Sequence, residues 1–150
     1  MKLSDKEWKD FFLEDIFSVG SGKRLTNADK IDGTRPFIGA TDNMNGVTGF
    51  VDNENSSLDK NVLGVNYNGA PCIGFYHPYE CIFTDDVKRL HLKNHEDNQY
   101  VLLFLKTVIF NRKINIVMDI NSMNEECSDK LLLSLSMIMM SQTFNSWKIT

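Results

Sequence analysis

At 150 residues and a formal net charge of −4, the chain is long enough to bury a core and too acidic for a generally basic, sequence-indifferent nucleic-acid coat. Hydrophobic residues make up 42% and charged residues 24%, which is typical of one globular domain and excludes a disordered chain.

The three cysteines, Cys72, Cys81 and Cys127, are odd in number and lack Cys-x-x-Cys spacing. This pattern favours a reduced, cytoplasmic protein. The first ten residues, M-K-L-S-D-K-E-W-K-D, contain no apolar stretch like that of a secretory signal. No window is long and apolar enough to predict a membrane span.

The first predicted elements are a short strand around residues 9–13, a helical turn at 14–17 and an extended piece to Val19. The segment G-S-G-K-R-L-T follows. It is not a nucleotide-binding loop, because Phe17 stands five residues before Gly22 and Arg24 replaces the Ser or Thr that would hold magnesium. Two interpretations of the pair Lys23 and Arg24 are possible: the residues contact a phosphate backbone, or they lie in a solvated turn.

Residues 36–51 predict a β-hairpin that is closed by the positive-φ turn residues Asn45 and Gly46. Five short polar side chains occur in and around its loop, more than a tight turn needs: Thr41, Asp42, Asn43, Asn45 and Thr48. They indicate either a well-hydrated Asx-type turn or a surface that recognises a polar partner.

Strands are predicted next at residues 61–67, 72–76, 79–83 and 87–92, with the middle two linked through His77-Pro78. A helix at 97–113 follows, capped by Asp97 or Asn98. Tyr100, Leu103 and Phe104 widen its apolar stripe, so the helix is predicted to be largely buried against the sheet, and a docking role is less favoured. The fold class is therefore α/β: a mixed, mostly antiparallel β-sheet lobe with one long packed helix.

No cluster of residues predicts a catalytic or metal site, so neither a cofactor nor an enzymatic activity is expected. Cys72, His77 and Cys81 lack the close-paired spacing and the fourth ligand of a structural zinc site. The adjacent carboxylates of Asp85 and Asp86 would face apart on a strand. No nucleophile lies in a recognisable setting such as G-x-S-x-G.

Three blocks in order carry a resemblance: W-K-D-F-F-L-E-D-I-F-S-V-G-S-G-K-R-L-T, then P-F-I-G-A-T-D-N-M-N-G-V-T-G-F-V, then N-V-L-G-V-N-Y-N-G-A-P-C-I-G-F-Y-H-P-Y-E-C-I-F-T-D-D-V-K-R-L. From Trp8 to about Lys113 the chain resembles the target recognition domain of type I restriction-modification specificity subunits and of related fused enzymes. The resemblance implies a non-catalytic domain that reads one half of a split double-stranded DNA target. It also implies methyltransferase and restriction subunits as partners.

By position, the resemblance assigns Lys23, Arg24 and Thr26 to phosphates. The hairpin loop then supplies candidates for bases or backbone, and the end of a later strand supplies weaker ones: Thr41, Asp42, Asn43, Asn45, Asn66, Tyr67 and Asn68. Asn can pair with adenine through two hydrogen bonds, and Arg or Lys can pair with guanine. The alternatives are a module that binds a methyltransferase subunit or a second half-subunit without reading DNA, and a ligand-binding domain unrelated to DNA.

The chain departs from this family after residue 113. Residues 1–113 are predicted to form the recognition domain, and residues 114–150 an atypical tail with no Gly or Pro. Permitted codons for residues 114–130, read one base out of frame, can encode family-like text such as K-Y-S-Y-G-Y-K-F-N-E-R-R-M-F-R-Q. We therefore hypothesise a frameshift near residues 111–116, with a poorly ordered tail as its consequence.

Overall fold

The computed structural model describes residues 11–69, 73–111 and 132–133. Along the chain its strands and helices are β1 (Phe11–Phe12), α1 (Leu13–Ile16), β2 (Phe17–Ser21), β3 (Asp32–Ile38), a 3-10 turn (Met44–Gly46), β4 (Val47–Val51), β5 (Val62–Asn66), β6 (Gly74–His77), β7 (Ile82–Phe83), β8 (Val87–Leu92), α2 (Gln99–Asn111) and β9 (Leu132–Leu133). Among these residues, no helix has the length and apolar character needed to cross a membrane.

A four-stranded antiparallel sheet in the order β2-β8-β5-β6 forms the centre of the fold. Phe17 pairs with Leu92 at one end of β2, and Leu63 pairs with Leu90 on the other side of β8. Because successive side chains alternate between faces, β8 directs Leu90 and Leu92 to one face and Arg89 to the other. The central strand therefore contributes to both layers of the molecule.

A three-stranded sheet, β4-β3-β7, forms the second layer. β3 and β4 are the two arms of an antiparallel hairpin, whereas β3 and β7 run parallel, with Phe37 opposite Ile82. The predicted hairpin is thus confirmed, including positive φ angles at Asn45 and Gly46. A separate two-stranded pairing joins β1 to β9.

Three apolar clusters hold these layers together. The first lies between the helices and the four-stranded sheet and includes Phe17, Leu90, Leu102 and Leu105. The second joins the two sheets and consists of Ile38, Val62, Cys81, Phe83 and Val87. The third covers the outer face of the three-stranded sheet with Phe37, Val51 and Ile82. Burying one such side chain contributes about 1.5–3 kcal/mol, so the clusters supply most of the favourable free energy that positions the loops.

Helix α2 begins after Asn98, whose Oδ1 accepts the main-chain N–H of Tyr100 over 2.9 Å. Leu102 and Leu105 are fully buried, as the helical spacing predicts. The prediction that the helix is largely buried is wrong for its other face, because Tyr100 is 62% and Phe104 49% exposed. The helix packs against β5 and β6 along one side only, which leaves these aromatic residues outside the core.

The two strands on either side of Pro78 belong to different sheets. β6 pairs with β5 in the four-stranded sheet, whereas β7 pairs with β3 in the other sheet. The chain crosses between layers here, and Cys81 forms a bridge with Asp59 just before β7. The fold class itself is confirmed: mixed, mostly antiparallel sheets with one long packed helix. Apart from residues 132–133, the predicted atypical tail of residues 114–150 lies outside the described residues.

Candidate nucleic-acid interface

Two polar segments leave the four-stranded sheet at the same end. β2 ends at Ser21, which pairs with Lys88, and β5 ends at Asn66, which pairs with Val87. Residues 22–26 and 67–69 therefore start from the two strands that flank β8, although more than forty positions separate them in the sequence.

The hairpin loop is joined to this end by one buried side chain. Asn66 is 2% exposed, and its Nδ2 donates to the carbonyl oxygen of Thr41 over 2.9 Å. A second contact lies alongside: a Cβ atom on Gly69 would come within 2.9 Å of the carbonyl oxygen of Ala40. All three polar segments that the sequence singles out thus meet on one surface.

The hairpin loop closes through its own main chain. Gly39 donates to the carbonyl oxygen of Gly46, and Gly46 donates to that of Asn43, both over 2.9 Å. The Oγ1 of Thr41 accepts the N–H of Asn43 over 3.3 Å. Gly46 has a φ of +80° and is buried against Ile38, where an added Cβ would lie 3.2 Å from the Ile38 side chain. These bonds fix the shape of the loop before any partner binds.

Side chains at the tip of the loop are exposed and already oriented. Asn43 donates through Nδ2 to Oδ1 of Asp42 over 2.6 Å. Asn45 donates through Nδ2 to the hydroxyl oxygen of Tyr79 over 2.9 Å. The tip therefore presents an edge of hydrogen-bonded amide and carboxylate groups that faces solvent.

The basic segment is held by main-chain bonds to the turn before β8. Gly22 donates to the carbonyl oxygen of Val87 over 3.1 Å, and Lys23 to that of Phe83 over 2.9 Å. A Cβ on Gly22 would lie 1.8 Å from the carbonyl oxygen of Thr84, so this close approach requires glycine. Lys23 and Arg24 are both exposed. Their main chain is fixed while their charged groups face solvent.

Tyr67 and Asn68 line the space between the two segments. The Nζ of Lys88 lies 4.8 Å from the centre of the Tyr67 ring and donates to Oγ of Ser21 over 2.9 Å. Burial raises the pKa of Tyr67, and the carboxylates of Asp86 and Asp85 raise it further, so the phenol stays protonated.

Charge on this surface is mixed rather than uniformly basic. Lys23, Arg24 and Lys88 supply cations, while Asp42, Asp85 and Asp86 supply carboxylates. Asn68 donates to Asp86 over 3.0 Å, which occupies part of one carboxylate. A surface with mixed charge binds phosphate groups alone only weakly. Its carboxylates accept hydrogen bonds from donors such as the amino groups of bases.

Residues 5–128 match the family model of the Type I restriction modification DNA specificity domain. The chain belongs to this family. The specificity domain is 55% identical over 112 residues to the Type II restriction enzyme BgcI specificity subunit S.BcgI of Heyndrickxia coagulans. That match covers 75% of this chain and 33% of the relative, so the chain spans about a third of the length of the relative it matches.

Solved structures share the fold of the specificity domain. A Type-I restriction-modification system S subunit from M. genitalium superposes with a TM-score of 0.58 at 22% identity, over 80% of this chain and 30% of that one. The HsdS subunit from Thermoanaerobacter tengcongensis gives a TM-score of 0.50 at 10% identity, over 77% and 37%. The resemblance seen in the sequence is thereby confirmed at the level of family and fold.

The structure of the specificity domain separates the predicted site residues by exposure. Lys23, Arg24, Thr26, Asp42, Asn43, Asn45 and Asn68 are exposed, whereas Thr41 and Tyr67 are partly buried. The hydroxyl of Thr26 donates to the carboxylate of Asp29 within its own turn. Asn66 is buried and positions the hairpin loop, a role that its sequence context did not indicate.

Two features of the specificity domain were missed by sequence reasoning. Tyr79 reaches Asn45 across 34 positions, and no local pattern signals that contact. Arg89 and His91 of β8 form a charged network with Asp59, before β5, and Asp97, before α2. His91 bonds Asp59 over 2.9 Å and Asp97 over 2.6 Å, and Arg89 bonds Asp59 over 2.9 Å. The signal in the sequence was the alternation of Arg89 and His91 on β8, which places both side chains on one face of the strand.

In the described part of the specificity domain, no three His, Cys, Asp or Glu side chains are grouped to hold an ion. His77 and Cys81 are fully buried. Burial lowers the pKa of His77 to about 4 and raises that of Cys81 to about 12. Both side chains therefore stay neutral in the core.

Proposed function

We propose that this specificity domain reads one half of a split double-stranded DNA target for a restriction-modification complex. The observation that carries the proposal is the Asn66–Thr41 contact, which joins the hairpin loop to the sheet end from which the basic segment and residues 67–69 extend. Binding residues are commonly presented on loops that a rigid scaffold holds in place. Methylation and cleavage belong to partner methyltransferase and restriction subunits, and this chain uses no cofactor.

The basic segment contacts the phosphate backbone in this proposal. Lys23 and Arg24 project from a main chain that is bonded to Phe83 and Val87 on either side of the turn before β8. Thr26 lies at the end of the same segment. Such contacts set register and orientation on the duplex without carrying sequence information.

Bases are read by the loop of the hairpin. The Asp42–Asn43 pair offers a carboxylate, which can accept the amino group of cytosine, and an amide, which can pair with adenine. Thr41 and Asn45 extend the same edge. Tyr67 and Asn68 flank it, while the buried Asn66 positions it. The domain acts in the cytoplasm, and its affinity for DNA is low without the partner subunits.

The test is a titration of labelled random-sequence duplex DNA at low salt, with and without a cognate methyltransferase subunit. The double variant Lys23→Ala/Arg24→Ala should reduce the slope of log affinity against log salt by roughly two units, since each lost phosphate contact removes about 0.9. The double variant Asn43→Ala/Asn45→Ala should leave that slope unchanged. It should weaken the preference for particular sequences among the duplexes that are bound.

The matched control is Lys60→Ala/Lys93→Ala, which removes the same charge. Residues 60 and 93 lie near the start of β5 and the end of β8, opposite the proposed interface. This variant should keep most of the wild-type salt dependence. Equal slopes for both double-cation variants, or co-elution with the methyltransferase subunit without any effect on DNA, would contradict the proposal.

A further inference from the structure

Met44 is the most exposed large hydrophobic side chain of the described residues, at 80%. It occupies the tip of the hairpin loop, between Asn43 and Asn45. Building on the proposed function, we infer that Met44 is a specificity-determining residue. Its side chain makes an apolar contact with the 5-methyl group of a thymine in the major groove.

The main-chain conformation of Met44 is unfavourable for a residue with a long side chain. Its φ is +50°, in the left-handed region that disfavours residues with a long side chain. The next two residues, Asn45 and Gly46, also have positive φ, but Asn and Gly tolerate it. Met44 gains no burial in exchange, since its side chain faces solvent. Residues held in such conformations cluster at functional sites.

The loop imposes this conformation. Gly39 and Gly46 close the base of the loop, and Gly46 donates to Asn43 across the turn. Asn45 is tied to Tyr79 on the far side. Met44 therefore projects from an anchored tip, so a contact made through its side chain costs little additional ordering of the main chain.

The neighbours of Met44 favour the major groove. Asp42 lies two positions away and is exposed, and its carboxylate would be repelled by the negative potential of a narrow minor groove. In the major groove a carboxylate can accept the cytosine amino group. The apolar group that bases present there is the thymine methyl, and a flexible thioether side chain packs well against it.

The test selects bound sequences from a random duplex pool with the full chain and its methyltransferase partner. It compares wild type, Met44→Ala, Met44→Leu and Ile31→Ala. Ile31 is the control because it is 60% exposed and is bonded to Asp52 and Asn53, at the opposite end of the hairpin. The preferred sequence of the wild type is then synthesised with uracil in place of each thymine in turn, which removes only the methyl group.

Uracil at one position should weaken wild-type binding by roughly fourfold, as expected for the loss of one buried methyl contact. The same exchange should have no effect on Met44→Ala, while Met44→Leu and Ile31→Ala should behave like wild type. If wild type binds selectively but no uracil exchange matters, the thymine contact is wrong and the proposed function stands. If wild type shows no sequence preference at all, the proposed function fails and this inference with it. Kinking of the duplex by wild type without a uracil effect would assign Met44 to a wedge between bases and overturn the inference.

Discussion

The side-chain amide of Asn66 donates to the main-chain carbonyl of Thr41 over 2.9 Å, across 25 positions of sequence. This bond joins the last residue of a buried strand to the first residues of an exposed loop. It connects the two layers of the molecule at the surface where the predicted site residues meet.

Replacing Asn66 with Ala should loosen the hairpin loop more than it unfolds the domain. The change leaves the carbonyl of Thr41 without its partner and costs about 1–3 kcal/mol of unfolding free energy. Hydrogen exchange at the amides of Gly39 and Gly46 should accelerate. Asn68→Ala is the control, since Asn68 is exposed and its side chain bonds Asp86 and the N–H of Gly69 rather than the hairpin loop, as far as the described residues extend. Unchanged exchange in Asn66→Ala would show that the loop is held by other contacts.

Two glycines of the same hairpin should respond very differently to Ala. Gly46→Ala places a Cβ at a φ of +80° and 3.2 Å from Ile38, so it should cost about 1–3 kcal/mol. At Gly49 a Cβ would meet nothing within 4 Å, so Gly49→Ala should change stability by less than about 0.5 kcal/mol. Urea unfolding of the two variants measures the difference. Similar midpoints would contradict the left-handed turn.

The network around His91 predicts a pH dependence with a definite sign. Burial opposes protonation of His91, but hydrogen bonds to Asp59 and Asp97 and their negative charge outweigh it, so its pKa is raised above 6.5. A raised pKa in the folded state stabilises the fold fully below the unfolded value, and this contribution is lost as pH rises through the folded value.

The stability advantage of wild type over His91→Gln should therefore be largest below pH 6.5 and decline as the pH rises above that value. Urea unfolding at a series of pH values measures this difference. His77 contributes equally to both proteins, and its lowered pKa acts with the opposite sign below about pH 6.5. An advantage that grows with pH would mean that His91 is neutral in the folded protein.

The coding DNA tests the proposed change of frame. If a frameshift lies near residues 111–116, the nucleotides after that point should encode family-like sequence in the alternate frame, including the Y-G-Y-like block. The same region in the present frame is the control. Family-like sequence in neither alternate frame would rule the frameshift out, and residues 114–150 would then need another origin.

Local sequence patterns predict a strand or a turn well where the residues of that segment themselves decide its structure. The sequence predicts β8 at residues 87–92, and the strand spans Val87–Leu92. Val87 is buried in one layer, and Leu90 and Leu92 are buried in the other. Lys88 and Arg89 between them reach polar partners. The hairpin followed from Asn45 and Gly46, whose positive φ angles are a local property.

The parts of the fold that the sequence does not predict depend on contacts between residues far apart in the chain. The burial of Asn66 depends on Thr41, and the separation of β6 from β7 depends on a parallel pairing with Phe37, neither of which is visible near those residues. The apolar residues around the helix predict burial of Tyr100 and Phe104, but α2 contacts the sheet along one side only. Composition could not reveal how much of the helix the sheet covers.

The close approach of Gly22 to Thr84 has a consequence for how such a domain can change its target. The main chain is fixed at positions that tolerate little substitution, such as Gly22 and Gly46, while the exposed side chains beside them contribute little to the folded core. The side chains of residues 42–44 are exposed, so exchanges confined to them would leave the buried side-chain contacts among the described residues intact. A new preference could therefore evolve, or be engineered, by randomising a few tip residues without rebuilding the scaffold.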